Sequence, residues 1–142
     1  RRHQRKSVPY RIVHSNDVLE TTLTMRQCLA RGEIVVMHAD RFVSGATLPQ
    51  PLLGSPARFP LFPFRMASLT KAPVIMAFPS REGLNRYCAR ASAAFTVTPG
   101  DEGAACRRYA LALEEYVGHY PYQWFNFFDF WDDREHANLS VS

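Results

Sequence analysis

The 142-residue chain has few cysteines, no long apolar run and no glycine-rich loop. Its three cysteines, Cys28, Cys88 and Cys106, lie far apart and form no Cys-x-x-Cys pair. That excludes a disulfide framework or a zinc knuckle and makes a reducing compartment the default. The thiols are expected to be inert core groups, as free cysteines usually are. No apolar run exceeds five residues, as in Val74 to Phe78. A membrane-spanning helix needs about 20. A basic N-terminus without a following apolar stretch does not read as a secretory signal. Charged residues are only 21% of the chain and aromatics 13%, which excludes wholesale disorder and fits one globular domain.

What is present is unevenly charged. Residues 1–11 hold Arg1, Arg2, Arg5, Lys6 and Arg11 without an acid. Residues 40–90 hold seven basic residues against Asp40 and Glu82, a balance of +5. The stretch after Tyr120 is acidic, with Asp129, Asp132, Asp133 and Glu135 against Arg134. A basic middle points to an anionic partner or to a solvated charged face. No recognised nucleic-acid motif accompanies the charge, so nucleic acid is not an expected partner.

Residues 1–7 read as a basic lead-in, 8–121 as an α/β body, 122–131 as an aromatic helix and 132–142 as a frayed tail. Val8–Val13 has strand character. A helix over 17–31 is capped by Ser15 or Asn16, carries Val18, Thr22, Met25 and Leu29 on one face, and stops at Gly32. Glu33–Met37 reads as a buried strand, 42–58 as a loop holding a short Leu52-Leu53 plug, and Pro63 as the start of a further helix. Pro73–Phe78 and Tyr87–Val97 read as strands and 102–117 as a helix. The alternation predicts an α/β fold with a mixed central sheet sandwiched by helices, with Glu33–Met37 and Pro73–Phe78 as neighbouring strands.

Three segments could carry chemistry. His38-Ala39-Asp40-Arg41 ends a strand, where ligands gather in open α/β sheets. On a strand His38 and Asp40 share a face, which allows either a general-base pair or a simple strand end with an Asp40–Arg41 ion pair. The Arg41 guanidinium suits an anion such as phosphate. Arg58-Phe59-Pro60-Leu61-Phe62-Pro63 leads a loop into a helix and reads by itself as a core-plugging turn. In the third segment Trp124, Phe127, Phe128 and Trp131 fall at i, i+3, i+4 and i+7. They are predicted to form one aromatic helical face for docking on protein or at a membrane interface. The neighbouring acids favour protein contact for most of it.

Together these motifs, with Gly32-Glu33-Ile34-Val35-Val36, Leu53-Gly54-Ser55-Pro56-Ala57, Ala72-Pro73-Val74 and the Tyr122–Trp131 block, stand in an order that resembles one family. They are similar to the C-terminal half of bacterial lipid A lauroyl/myristoyl-type acyltransferases, in the branch associated with aryl polyene biosynthesis and within the lysophospholipid acyltransferase superfamily. The likeness runs from about Val8 to Trp131. It implies the C-terminal portion of the glycerolipid acyltransferase fold. It also implies transfer of a fatty acyl group from acyl carrier protein or coenzyme A to a lipid or glycolipid hydroxyl, at the cytoplasmic face of the bacterial inner membrane. Acyl carrier protein or the coenzyme A thioester, the lipid acceptor and the membrane surface are then the partners; no cofactor or metal is implied beyond the acyl thioester co-substrate.

Asp40, Arg41, Phe59 and Pro60 are the implied substrate-binding residues, and Trp124, Phe127, Phe128 and Trp131 the implied membrane or domain contacts. The family's catalytic His-x4-Asp pair is missing here. The fifth residues after His3, His14, His38, His119 and His136 are Val8, Leu19, Val43, Trp124 and Val141. The pair is therefore expected upstream, leaving no catalytic residue in this chain. A non-catalytic lipid- or carrier-protein-binding module is the alternative. Leu61-Phe62 also replaces the polar residue and glycine usual in the family's acceptor loop.

Overall fold

A computed structural model describes residues 10–13, 17–41, 45–127 and 130–131. The basic lead-in, the tail after Trp131, Ser15, Asn16, Phe128 and Asp129 lie outside the described residues. The chain divides into two compact units, residues 1–35 and 36–142.

The first unit holds helix α1, Val18–Ala30. Asp17, expected in the first turn, is itself the N-cap, its carboxylate accepting from the Leu19 and Glu20 N–H groups at 2.8 and 3.0 Å. The expected stop at Gly32 is present at φ 76°. Gly32 N–H donates to the Leu29 carbonyl and Glu33 N–H to the Cys28 carbonyl, both at 3.0 Å. These two bonds form a Schellman cap, which needs the left-handed conformation glycine adopts freely. Arg31 bonds Glu33 at 2.6 Å and holds its carboxyl below the usual carboxylate range.

The second unit alternates hairpins and helices: β1 (Thr47–Leu52), β2 (Ser55–Pro60), α2 (Phe62–Thr70), β3 (Ala77–Arg81), β4 (Tyr87–Ala91) and α3 (Glu102–His119). The α/β class is as the sequence predicts. The sheet content is different: two antiparallel pairs, β1–β2 and β3–β4, stand where one mixed central sheet is expected.

Proline explains much of that difference. The two-residue turn Leu53-Gly54 makes Leu52 and Ser55 the hydrogen-bonded pair that closes the hairpin, and such pairs alternate outward. Pro51 opposite Pro56, Pro49 opposite Arg58, and Pro60 opposite Thr47 therefore all fall where the backbone N faces away from the partner. Four prolines fit without breaking the ladder, and both outer edges lose donors that a third strand would need.

The outer edge of β3 is closed in another way. Pro79 has no N–H, and its carbonyl accepts from the Tyr116 hydroxyl at 2.7 Å. The Arg81 N–H donates to Gln123 Oε1 at 2.6 Å, and the Gln123 amide donates back to the Arg81 carbonyl at 3.2 Å. A side-chain amide thus takes the place of a neighbouring strand.

Glu33–Met37 is a correction to the predicted topology. It is not a strand, and Ile34 and Val36 are 90% and 89% exposed. Its β-branched residues favour extended backbone, but a strand needs a ladder partner, and three of the four hairpin edges are closed. Pro73–Phe78 and Tyr87–Val97 pair instead with each other. The β3–β4 ladder continues through a Ser92 N–H bond to the Met76 carbonyl and ends at the Val74–Phe95 bridge. Tyr10–Val13 carries no strand either.

The core of this unit lies between α3 and the first hairpin. Leu52, Ala57 and Phe59 project from one face of β1–β2, and Ala105, Cys106, Ala110 and Leu113 from the facing side of α3. Alanines at 105 and 110 let the hairpin approach closely. Glu114 fixes the turn by accepting the Leu53 N–H at 2.7 Å. Helix α2 starts with Pro63 in its first turn, as predicted, and ends at Lys71 with φ 56°.

Candidate functional site

His38-Ala39-Asp40-Arg41 and the aromatic block, 84 residues apart in sequence, meet in the second unit. The Trp124 indole N–H donates to Asp40 Oδ2 at 3.1 Å. The Arg41 guanidinium leans on the Phe125 carbonyl at 3.4 Å. The Asp40 side chain is only 17% exposed, so a hydrogen bond to its charge matters more than it would on the surface. Burial, and secondarily the Asp40 charge, push the Tyr109 phenol well above its ordinary range. Tyr109 therefore stays protonated beside a carboxylate that the indole already engages.

His38 does not complete a pair. Its Nδ1 stands 3.8 Å from Asp40 Oδ1, and its ring is 77% exposed. That distance is too long for a hydrogen bond, so the general-base alternative is not assembled here, and neither is an Asp40–Arg41 ion pair. Asp40 is an anchored carboxylate, while Arg41 is a solvent-exposed cation. Such an arrangement can hold an anionic or polar group; among the described residues no base is placed to activate one.

Phe59 and Pro60, the other two expected substrate-binding residues, are both buried. Phe59 is fully buried, edge-on to Phe130 at 5.5 Å and Tyr109 at 6.1 Å. Pro60 is buried beside it.

The aromatic block is also corrected. Residues 121–124 turn and 125–127 have no regular structure, so Trp124 and Phe127 do not lie on a helix. Helical spacing alone did not account for Pro121 and for the Gln123 amide, which is committed to Arg81. Phe130, which adds to the predicted face without standing at one of its i, i+3, i+4 and i+7 positions, is the buried member at 3% exposure. Trp124 stands edge-on to Phe130 at 5.2 Å and to Trp131 at 6.3 Å. Phe127 remains exposed against Phe125 at 6.4 Å. Sequence reasoning missed Gln123 as a positioning residue; the one available signal was an amide set inside an otherwise aromatic run.

Among the described residues no helix is long and apolar enough to cross a membrane, and no three His, Cys, Asp or Glu side chains group for a metal. The family model for bacterial lipid A biosynthesis acyltransferases matches residues 2–132, which spans both halves of this site. The chain belongs to that family. Membership makes acyl transfer in lipid biosynthesis its chemistry, with an acyl donor and a lipid acceptor in general. No curated protein and no solved structure matches the chain. Within the matched region Arg41 is the exposed charged group, Asp40 is largely covered, and Trp124 stands edge-on to Phe130.

Proposed function

We propose that this chain forms the acceptor-binding portion of a peripheral acyltransferase at the cytoplasmic face of the bacterial inner membrane. The enzyme moves a fatty acyl group from acyl carrier protein or coenzyme A to a lipid or glycolipid hydroxyl. The acceptor oxygen attacks the thioester carbonyl carbon, the carbon–sulfur bond breaks, and the thiol leaves with the proton. Arg41 holds an anionic or polar group of the acceptor, and Asp40, locked by Trp124, keeps Arg41 and the segment before it in place. The observation that supports this reading is the exposed Arg41 guanidinium set at the junction of two segments distant in sequence. The general base is a His-x4-Asp pair outside these 142 residues.

A second reading, a lipid- or carrier-binding module without catalysis, is favoured by one fact: none of the five histidines is followed by an acid at the fifth position. Acyl transfer is measured by mass spectrometry of the lipid product, with acyl carrier protein thioester as donor. The isolated chain is expected to give no product, and the chain joined to the His-x4-Asp segment of its own reading frame to give product. Turnover by the isolated chain refutes the assignment of the base. An upstream frame without that pair favours the module.

A further inference from the structure

The outer edge of β4 is open. Bonded and non-bonded pairs alternate along an antiparallel ladder. The Glu82 N–H bond to the Arg86 carbonyl and the Ser92 N–H bond to the Met76 carbonyl mark the bonded pairs at the two ends of the β3–β4 hairpin. Ser80 with Cys88 and Phe78 with Arg90 are the bonded pairs between them. Tyr87, Ala89 and Ala91 therefore turn their N–H and C=O groups away from β3. β4 has no second neighbouring strand, and among the described residues nothing else bonds those groups.

Natural sheet edges are guarded by proline, by charge or by a covering element. β4 has no proline, and all five of its residues are exposed. Its one charge, Arg90, is drawn aside to donate to the Tyr120 hydroxyl at 3.0 Å. The register also makes one face of the hairpin continuous: Ala77 lies opposite Ala91, and Pro79 opposite Ala89. These four small side chains are exposed, beside Tyr87 at 73%. The other face is the covered one, where Phe78 stacks on Tyr109 and Tyr116.

We propose that two copies of this chain pair through β4, antiparallel about a twofold axis at Ala89, into one four-stranded sheet. The strand is self-complementary in that register. An axis at Ala89 overlaps all five residues of Tyr87–Ala91 and sets outward groups against outward groups. Ala89 then faces Ala89 of the second copy, Tyr87 faces Ala91, and Cys88 faces Arg90. Each large side chain meets a small one. Moving the axis to Cys88 would set Arg90 opposite Arg86, and moving it to Arg90 would set Arg90 opposite itself; like charges directly opposite destabilise a sheet. With the axis at Ala89 the two Arg90 side chains meet only on the diagonal, about 7–8 Å apart, and Arg86 is already paired with Glu82 at 2.6 Å. The pairing goes beyond the acyl-transfer reading and does not depend on it.

Sedimentation velocity of the 142-residue chain between roughly 1 and 100 µM tests the pairing. A monomer–dimer equilibrium is expected, and the dimer should tighten as salt screens the diagonal arginines. Ala89→Pro removes an N–H that points away from β3, so the hairpin keeps its ladder while the edge loses a donor. It should raise the dimer dissociation constant about tenfold or more with unchanged far-UV circular dichroism. Ala89→Lys places like charges at the axis and should do the same without a change in backbone. The register is read by crosslinking. Arg90→Cys faces Cys88 of the second copy in a non-bonded pair, with Cα atoms about 4.5 Å apart, within disulfide reach. A mild oxidant should link that variant into covalent dimers and leave the native chain unlinked. A native chain that stays monomeric, a dimer that survives both Ala89 substitutions, or native Cys88 that crosslinks as readily as the Arg90→Cys variant overturns the proposal. So does an enzyme with the His-x4-Asp segment that is monomeric and protects the Tyr87, Ala89 and Ala91 amides from exchange, because its own chain would then hold the edge.

Discussion

Replacing Trp124 by phenylalanine keeps most of the ring contacts with Phe130 and Trp131 and removes the indole N–H held by Asp40 at 3.1 Å. The Asp40 side chain is 17% exposed, so water replaces the lost donor poorly. A hydrogen bond to a charged group contributes about 1.5–3 kcal/mol, and the smaller ring adds a modest packing loss. The expected cost is about 2–3 kcal/mol, a fall in Tm of roughly 6–9 °C for a chain of this length. Ring size is separated from hydrogen bonding by a double-mutant cycle of Trp124→Phe and Asp40→Ala. Urea unfolding followed by far-UV circular dichroism keeps the probe independent of tryptophan. The cycle should return a coupling of about 1.5–3 kcal/mol. A coupling below about 0.5 kcal/mol would mean that the indole and carboxylate do not interact, and the account of the site would lose its anchor.

Two further outcomes follow from other parts of the fold. Leu53 sits at φ 52° beside Gly54 at φ 82°, a turn that asparagine-glycine fills with less strain, so Leu53→Asn should stabilise by about 1 kcal/mol; an unchanged or lower Tm contradicts the turn assignment. Burial pushes the Cys106 thiol up to about 11, against about 8.5 unfolded. The native state therefore binds more protons in that window. The stability Cys106 contributes is complete below about pH 8.5 and is lost as pH rises through about 11. Cys106→Ala should flatten this decline in urea midpoints, and a decline equally steep in the variant contradicts the assignment.

Local signals in the sequence carried well into the structure. The 17–31 and 102–117 helices, the Gly32 stop and Pro63 at the start of α2 depend on capping, periodicity and φ preference, which act within a few residues. Strand pairing is non-local, and there the reading failed. Glu33–Met37 has strand composition but no ladder partner. Residues 42–58 read as loop because of their prolines, yet those prolines sit at alternate positions that spare the ladder. The contacts around the candidate site were legible only in part. Asp40 and Arg41 could be picked out by their position and chemistry, but Trp124 as the donor to Asp40 could not, because only the fold joins positions 40 and 124. The aromatic block illustrates the same limit: helical spacing ranked Phe127, which is exposed, above Phe130, which the core takes.

The most direct test of the account is Arg41→Ala in the enzyme that carries the His-x4-Asp pair, with steady-state kinetics on an anionic and on an uncharged acceptor. Arg41 is exposed, and among the described residues its hydrogen bond is the 3.4 Å one to the Phe125 carbonyl, so its loss should move Tm little. A lost charge-assisted contact of about 1.5–3 kcal/mol should lower kcat/KM for the anionic acceptor by roughly 10- to 150-fold and leave the uncharged acceptor nearly unaffected. Equal kcat/KM for both acceptors in native and variant enzyme, or a loss explained by unfolding, would contradict the assignment of Arg41 to the acceptor.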